Sequence, residues 1–414
     1  MKRKILIEQT AGQIRTFFLE NDDIAEIHCA DAGSGEKRAH LLGDIYIGKV
    51  KNIVPDIGAA FIEIAPGVNC YFDVKDAEHA IFTTKIGKKP LCIGDELAVQ
   101  ISKEAVKTKS PTVTANLSFT GRYAVLTHGN TRIGVSSKIP KKIRDDYKDK
   151  LKGYQNDRFG IIVRTNAKDI PFQMVLDEIE SLRSEYKRLS SAAPSRVCYT
   201  CLKSAPPSYI SDLKNVYMEG MEEIIVEGAA LYEDICAYFE SELPSKKSLL
   251  RLYDNPAFPL RKMYSTDIAL EKALREKVWL KNGGYLIIQP TEALTVIDVN
   301  SGKGTGHGKN EAAVLKMNLE AARESARQIR LRNLSGIIII DFINLEEKEN
   351  VDLLLHEFRA RLSEDPIQTN LIDITPLNLV EVTRKKVHRP LHEQVKGEQV
   401  KGEVFHLQQP GNAL

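Results

Sequence analysis

Hydrophobic and polar positions change rhythm several times along the chain. In the first 33 residues, Ile5-Leu6-Ile7 and Ile14 to Phe17 run apolar or alternate, and Asn21-Asp22-Asp23 makes a turn. Two or three strands of this size do not fold alone, so the segment is expected to join a sheet built by later sequence. Residues 36–116 read differently: short apolar strands are punctuated by Gly43-Asp44, Pro55-Asp56, Pro66-Gly67, Gly87 and Gly94-Asp95. Turn signals at that spacing predict a small antiparallel barrel. Residues 118–205 mix strands, at Tyr123–Thr127 and Gly160–Arg164, with helical spacing over Lys141–Lys152 and Phe172–Leu189. Residues 208–280 alternate helix and strand and are expected to close on a helix around Ala269–Trp279.

From residue 284 the pattern is α/β. Strands over Tyr285–Gln289 and Leu294–Val299 lead into a glycine-rich loop, and a helix is predicted from about Asn310 to Arg332. The fully apolar strand Ile337–Ile340, a second helix over Val351–Leu362 and a strand over Leu371–Thr375 follow. Near-continuous apolar strands separated by helices predict a parallel sheet. The tail from Glu393 repeats Gln-Val-Lys-Gly-Glu at 394–398 and 399–403, has little to bury, and is expected to be loosely ordered.

Composition narrows the setting. At 414 residues the chain exceeds one compact core, so several domains are expected. No apolar run approaches the roughly 20 residues that span a bilayer, and Glu8 and Gln9 interrupt the basic-then-apolar N-terminus before it becomes a signal peptide. A cytoplasmic protein with its six cysteines reduced is expected. The formal net charge of +2 announces no nucleic acid globally, so any basic surface must be local.

Two strands end alike: Leu294-Thr-Val-Ile-Asp298-Val-Asn300 and Gly336-Ile-Ile-Ile-Ile-Asp341-Phe-Ile-Asn344. As parallel neighbours they would set Asp298 and Asp341 side by side, with Asn300 on the same face as Asp298. Two close carboxylates repel unless a cation joins them, and a few hard oxygens completed by water and phosphate suit magnesium. The plain alternative for either aspartate is a helix cap or an ion pair. The loop Ser301–Gly308 lies between strand and helix but matches no nucleotide-binding signature, so its backbone and Lys303 are read as lying against substrate phosphates, or else as a linker. In the barrel, aromatics and lysines interleave around Tyr46, Lys49, Lys51, Phe61 and Tyr71, a pattern that serves base stacking and backbone tracking as well as ordinary packing.

At Leu294–Ser301, Asn318–Ala322, Arg327–Arg332 and Gly336–Ile343 the chain resembles the catalytic region of the ribonuclease E/G family, and its early barrel resembles an S1 RNA-binding domain. The resemblance implies a multidomain α/β and β fold. Its parts are a discontinuous ribonuclease-H-like part (1–35 plus 206–273), an inserted S1/OB-type barrel (36–117) and an α+β 5′-sensor part (118–205). A DNase-I-like α/β catalytic part (274–392) completes it, and residues 393–414 remain as the flexible tail read from their composition. It implies an endoribonuclease acting on single-stranded, often A/U-rich RNA in RNA and rRNA processing, leaving 5′-phosphate and 3′-hydroxyl ends. In that family the aspartates matching Asp298 and Asp341 hold Mg2+ and the asparagine matching Asn300 positions one of them. RNA-contacting positions match Phe61, Tyr71, Lys103 and Lys109, and a pocket for a 5′-monophosphate matches Gly121, Val125, Arg164 and Thr165. The family's Cys-x-x-Cys zinc link is missing from residues 393–414, the only such motif being Cys198–Cys201, so no zinc link is expected and any homo-oligomer would use another surface. The competing reading is an RNA-binding or ribosome-associated protein that keeps the fold without cutting.

Overall fold

The computed structural model describes residues 2–10, 12–32, 42–104, 110–302 and 311–395. The part of the expected loop Ser301–Gly308 from Lys303 on, the candidate Lys109 and the tail beyond 395 lie outside the described residues. The chain divides into two compact units, 1–32 with 220–414, and 33–219. Among the described residues no helix is long and apolar enough to cross a membrane.

The first unit contains two sheets. Arg3–Thr10, Gln13–Glu20 and Asp23–Asp31 form an antiparallel meander, and Met221–Glu227 then adds in parallel to Arg3–Thr10, followed by Leu250–Tyr253. Ile5, Leu6 and Ile7 are fully buried, which explains an apolar run where a one-faced strand would alternate. The turn between the second and third strands uses Asn21 and Asp22, both at positive φ (50° and 70°), the conformation that a two-residue hairpin demands and that Asn and Asp tolerate.

The second sheet of this unit has six strands in the order Lys277–Trp279, Tyr285–Pro290, Leu294–Asn300, Gly336–Asp341, Leu379–Arg384 and Thr369–Ile374. Only the central pair, Leu294–Asn300 with Gly336–Asp341, is parallel; every other pairing is antiparallel. The expected parallel sheet is thus a mixed one. Helices Glu311–Leu331 and Lys348–Ser363 cover one face, packing Ala322, Ile329, Leu355 and Phe358 against Leu286, Ile297, Ile338 and Val380. Among the described residues no helix covers the other face in this way, and Ile337 is 50% exposed although its strand reads as continuously apolar. The helix expected to reach Trp279 stops at Leu274, where Arg275 leaves helical geometry, and Lys277–Trp279 forms the edge strand instead.

In the second unit, Ile45–Val54, Ala59–Ala65, Val68–Asp73, Thr112–Thr114 and Glu96–Lys103 close into a five-stranded barrel, because the last strand pairs back onto the first. Ile62, Phe72, Leu97, Val99 and Val113 fill it. Gly48 is needed at its crowded seam: a Cβ there would lie 2.4 Å from the Ile62 side chain. A four-stranded sheet (Ser118–Thr120, Ala124–His128, Phe159–Val163, Ile133–Val135) with helices Lys141–Leu151 and Phe172–Ala192 packs beside the barrel. One core joins them, running from Ile45, Ile47 and Ala98 to Phe119, Leu126, Ile179 and Tyr186. Helix Ser208–Asn215 belongs to this second unit.

Candidate active site

The parallel pairing in the six-stranded sheet begins at Leu294↔Ile337 and ends at Asp298↔Asp341. The two aspartates are therefore direct neighbours on strands about 4.8 Å apart. Buried Ile297, Val299, Ile338 and Ile340 point to the helices, so alternation sends Asp298, Asn300 and Asp341 to the opposite, accessible face. Asn300 Nδ2 donates to Asp298 Oδ2 at 2.8 Å, fixing that carboxylate, and among the described residues its Oδ1 has no hydrogen-bond partner. Among the described residues, the Asp341 carboxylate meets no hydrogen-bond donor or cation. Neither aspartate therefore caps a helix or pairs with a base among those residues.

A residue met in the sequence only as part of the Asn318–Ala322 motif, without a role of its own, holds the end of this strand. Asn318, fully buried on the first covering helix, donates from Nδ2 to the Ile343 carbonyl at 2.7 Å and accepts the Ile343 N–H at 3.1 Å. It pins the backbone two residues past Asp341. Its signal was a lone amide on an otherwise apolar helical stripe, between Leu315 and Ala322.

On the barrel, a single row of paired positions runs Asn52↔Phe61↔Tyr71↔Thr112↔Lys103. Inward neighbours such as Ile62 and Phe72 are buried, while Phe61 and Tyr71 are half-buried and Lys103 is exposed. The two rings meet edge to face, with centroids 6.5 Å apart at 88°. Three of the four barrel candidates thus share one outer stripe of two aromatics and a cation.

The 118–205 candidates also gather. Arg164 Nη1 donates to the Gly121 carbonyl at 2.6 Å and Nη2 to Asn215 Oδ1 at 2.6 Å, and Thr165 Oγ1 meets Ser136 Oγ at 2.8 Å. Val125 sits one strand away, opposite partly exposed Ile162. Glu178 accepts backbone N–H groups from Arg122, Tyr123 and Ala124 at 2.6, 2.7 and 2.8 Å. That carboxylate explains Gly121, where a Cβ would lie only 2.5 Å from it. Glu178, Asn215 and Ser136 were not foreseen; each lies far from its partners in sequence, and nothing local marks it.

The sequence profile of the ribonuclease E/G family matches residues 118–387, well over half of the chain. The chain belongs to the ribonuclease E/G family. As a ribonuclease E/G family member it is 28% identical over 397 residues to Ribonuclease G of Salmonella typhimurium (strain SL1344), covering 93% of this chain and 80% of that relative. It is 31% identical over 406 residues to Ribonuclease E of Nostoc sp., and 32% identical over 363 residues to Ribonuclease E of Synechocystis sp.. It spans 57% and 53% of the length of those two relatives. The family match takes in both the acidic pair and the Arg164 cluster, while the barrel precedes it.

Proposed function

We propose that this chain is a magnesium-dependent endoribonuclease that hydrolyses single-stranded RNA in RNA processing or decay. The observation that carries this reading is the in-register Asp298–Asp341 pair on an accessible sheet face, in a chain whose family and named relatives are ribonucleases. The donor set suits magnesium. Among the described residues, one oxygen of Asp298 and the whole carboxylate of Asp341 have no hydrogen-bond partner, which leaves hard ligands in small number. Among the described residues no three His, Cys, Asp or Glu side chains gather into a cage. Magnesium is held by one or two carboxylates with water and phosphate completing the octahedron, whereas structural zinc takes four protein ligands.

When bound, magnesium would supply Lewis acidity, activating water and offsetting charge that builds on the phosphate. The chain's own part is placement. Asn300 locks the Asp298 carboxylate, and Asn318 fixes the strand exit beyond Asp341. Water oxygen bonds to phosphorus, the bond from phosphorus to the 3′ oxygen breaks, and that oxygen takes a proton. The products are a 5′-phosphate and a 3′-hydroxyl. A 5′-labelled single-stranded RNA should be fragmented with magnesium and left whole in its absence. RNA that is bound yet stays whole in magnesium would make this a binding protein and end the nuclease reading.

The barrel stripe supplies affinity in this proposal. Phe61→Ala and Tyr71→Ala each remove a stacking surface worth about 1–3 kcal/mol per base. The apparent Michaelis constant should rise more than turnover falls. An unchanged constant for long RNA in a folded double variant would refute the stacking assignment.

The Arg164 cluster is proposed as a 5′-end sensor. The planar guanidinium, held by the Gly121 carbonyl and Asn215, and the Thr165 hydroxyl on the next residue, paired with that of Ser136, are the groups that would grip a terminal phosphate. A tethered end raises the local concentration of downstream RNA at the cleavage site, so the expected effect is on capture. Wild type should prefer a 5′-monophosphate over a 5′-hydroxyl RNA, and Arg164→Gln should lose the preference while cutting the hydroxyl form as before. Equal treatment of both RNAs by wild type would return Arg164 to a purely structural duty, tying Gly121 to Asn215.

A further inference from the structure

The accessible face that carries the acidic pair also carries aromatic and cationic groups at its edge strand. Pairing runs Lys277↔Ile287↔Asp298↔Asp341 in one row and Trp279↔Tyr285↔Asn300 in the next. Paired positions share a face, so Lys277, Trp279 and Tyr285 stand on the side of Asp298 and Asn300, with Val278 and Leu286 turned to the core. Trp279 and Asn300 are two strands apart, about 10 Å.

Trp279 is 66% exposed, although it is the largest apolar side chain available to the chain. It meets Tyr285 edge to face, with ring centroids 5.3 Å apart at 63°. The Lys277 ammonium stands over both rings, 4.0 Å from the Trp279 centroid and 3.7 Å from that of Tyr285. If the cluster only packed the sheet edge, the indole would be covered; here most of it stays open. The tyrosine and the lysine hold its orientation without hiding it.

We propose that Trp279, buttressed by Tyr285 and Lys277, is a stacking site for a nucleobase of single-stranded RNA close to the cleaved phosphate. An aromatic face accepts any base, and the neighbouring ammonium suits the strand's phosphates. The site would hold the strand taut across Asp298 and Asp341, adding to the affinity of the barrel stripe. This inference rests on the RNA-cutting reading above.

Trp279 is the single tryptophan of the chain, so its emission reports on this site alone. The intact protein would be titrated with a dye-labelled single-stranded oligoribonucleotide in chelator, where no cleavage occurs, following tryptophan emission and dye anisotropy together. Emission should be quenched and saturate with the anisotropy. Binding seen by anisotropy with unmoved tryptophan emission would overturn the stacking site and leave the RNA reading standing. Anisotropy that never rises would overturn both. In magnesium, Trp279→Ala should raise the apparent KM about tenfold, and Trp279→Phe should recover most of that loss. A KM equal to wild type in the alanine variant would also overturn the proposal.

Discussion

Replacing either Asp298 or Asp341 with asparagine is expected to lower RNA cleavage by more than about a hundredfold, because loss of an outer-shell partner alone typically costs 10–100-fold at metal sites. Asparagine keeps the shape and removes the charge that would hold the cation. Each substitution relieves carboxylate repulsion across the paired strands, so folding should be undamaged or slightly improved. RNA binding should survive, since affinity is assigned to the barrel stripe. The double variant should be little worse than either single one, as groups that act as a unit are not additive. Asn300→Ala should fall in the lighter range, because it frees the Asp298 carboxylate without removing a ligand. Near-normal cleavage by Asp298→Asn or Asp341→Asn at low magnesium would refute the assignment of the site.

The largest stability effect is expected from Arg384→Met, on a strand that pairs directly with Gly336–Asp341. Arg384 and Asp365 are almost fully buried, 1% and 5% exposed, with Nε 2.7 Å from the carboxylate. Arg384 Nη1 also donates to Asn333 Oδ1 at 2.6 Å and to the Leu334 carbonyl at 3.2 Å, while Asp365 accepts from the Ile367 N–H and the Thr369 hydroxyl. Asn333 itself takes positive φ (49°) just past the long covering helix, so one guanidinium ties that helix end to the sheet. Breaking such a pair from one side strands a buried charge and costs about 3–5 kcal/mol. Urea unfolding should show a lower midpoint at an unchanged slope. A loss below about 1 kcal/mol would mean that water reaches Asp365 and the pair behaves as an exposed one.

The acidic pair was legible because its information is local: two strands with the same ending, and an asparagine two positions after one aspartate. Strand alternation alone then puts the three groups on one face. The barrel was legible for a similar reason, since turn residues mark both ends of Ile45–Val54, the turn after Ala59–Ala65 and the start of Glu96–Lys103. Sheet direction was not legible. Ile337–Ile340 reads the same whether one face or two are buried, and the antiparallel neighbours Tyr285–Pro290 and Leu379–Arg384 are chosen by long-range pairing. The edge strand was lost because Val278 and Trp279 resume an apolar spacing begun at Ala269 after the charged run Arg275-Glu276-Lys277. The Arg164 partners Gly121 and Asn215 lie 43 and 51 residues away, beyond any local pattern.

The parallel strand that completes the first meander arrives late. Arg3–Thr10 pairs with Met221–Glu227, more than 200 residues further along the chain. During synthesis at about 5–20 residues per second, the N-terminal hairpins wait roughly 10–40 s for that partner. Throughout this interval one edge of the Ile5-Leu6-Ile7 strand is unpaired and apolar, the kind of edge that invites aggregation. The inserted unit, complete by residue 219, has its whole sequence available first. A chain caught before residue 227 is made therefore carries an unpaired apolar strand edge, and co-expressed chaperones or slow expression in the cold should raise its soluble yield.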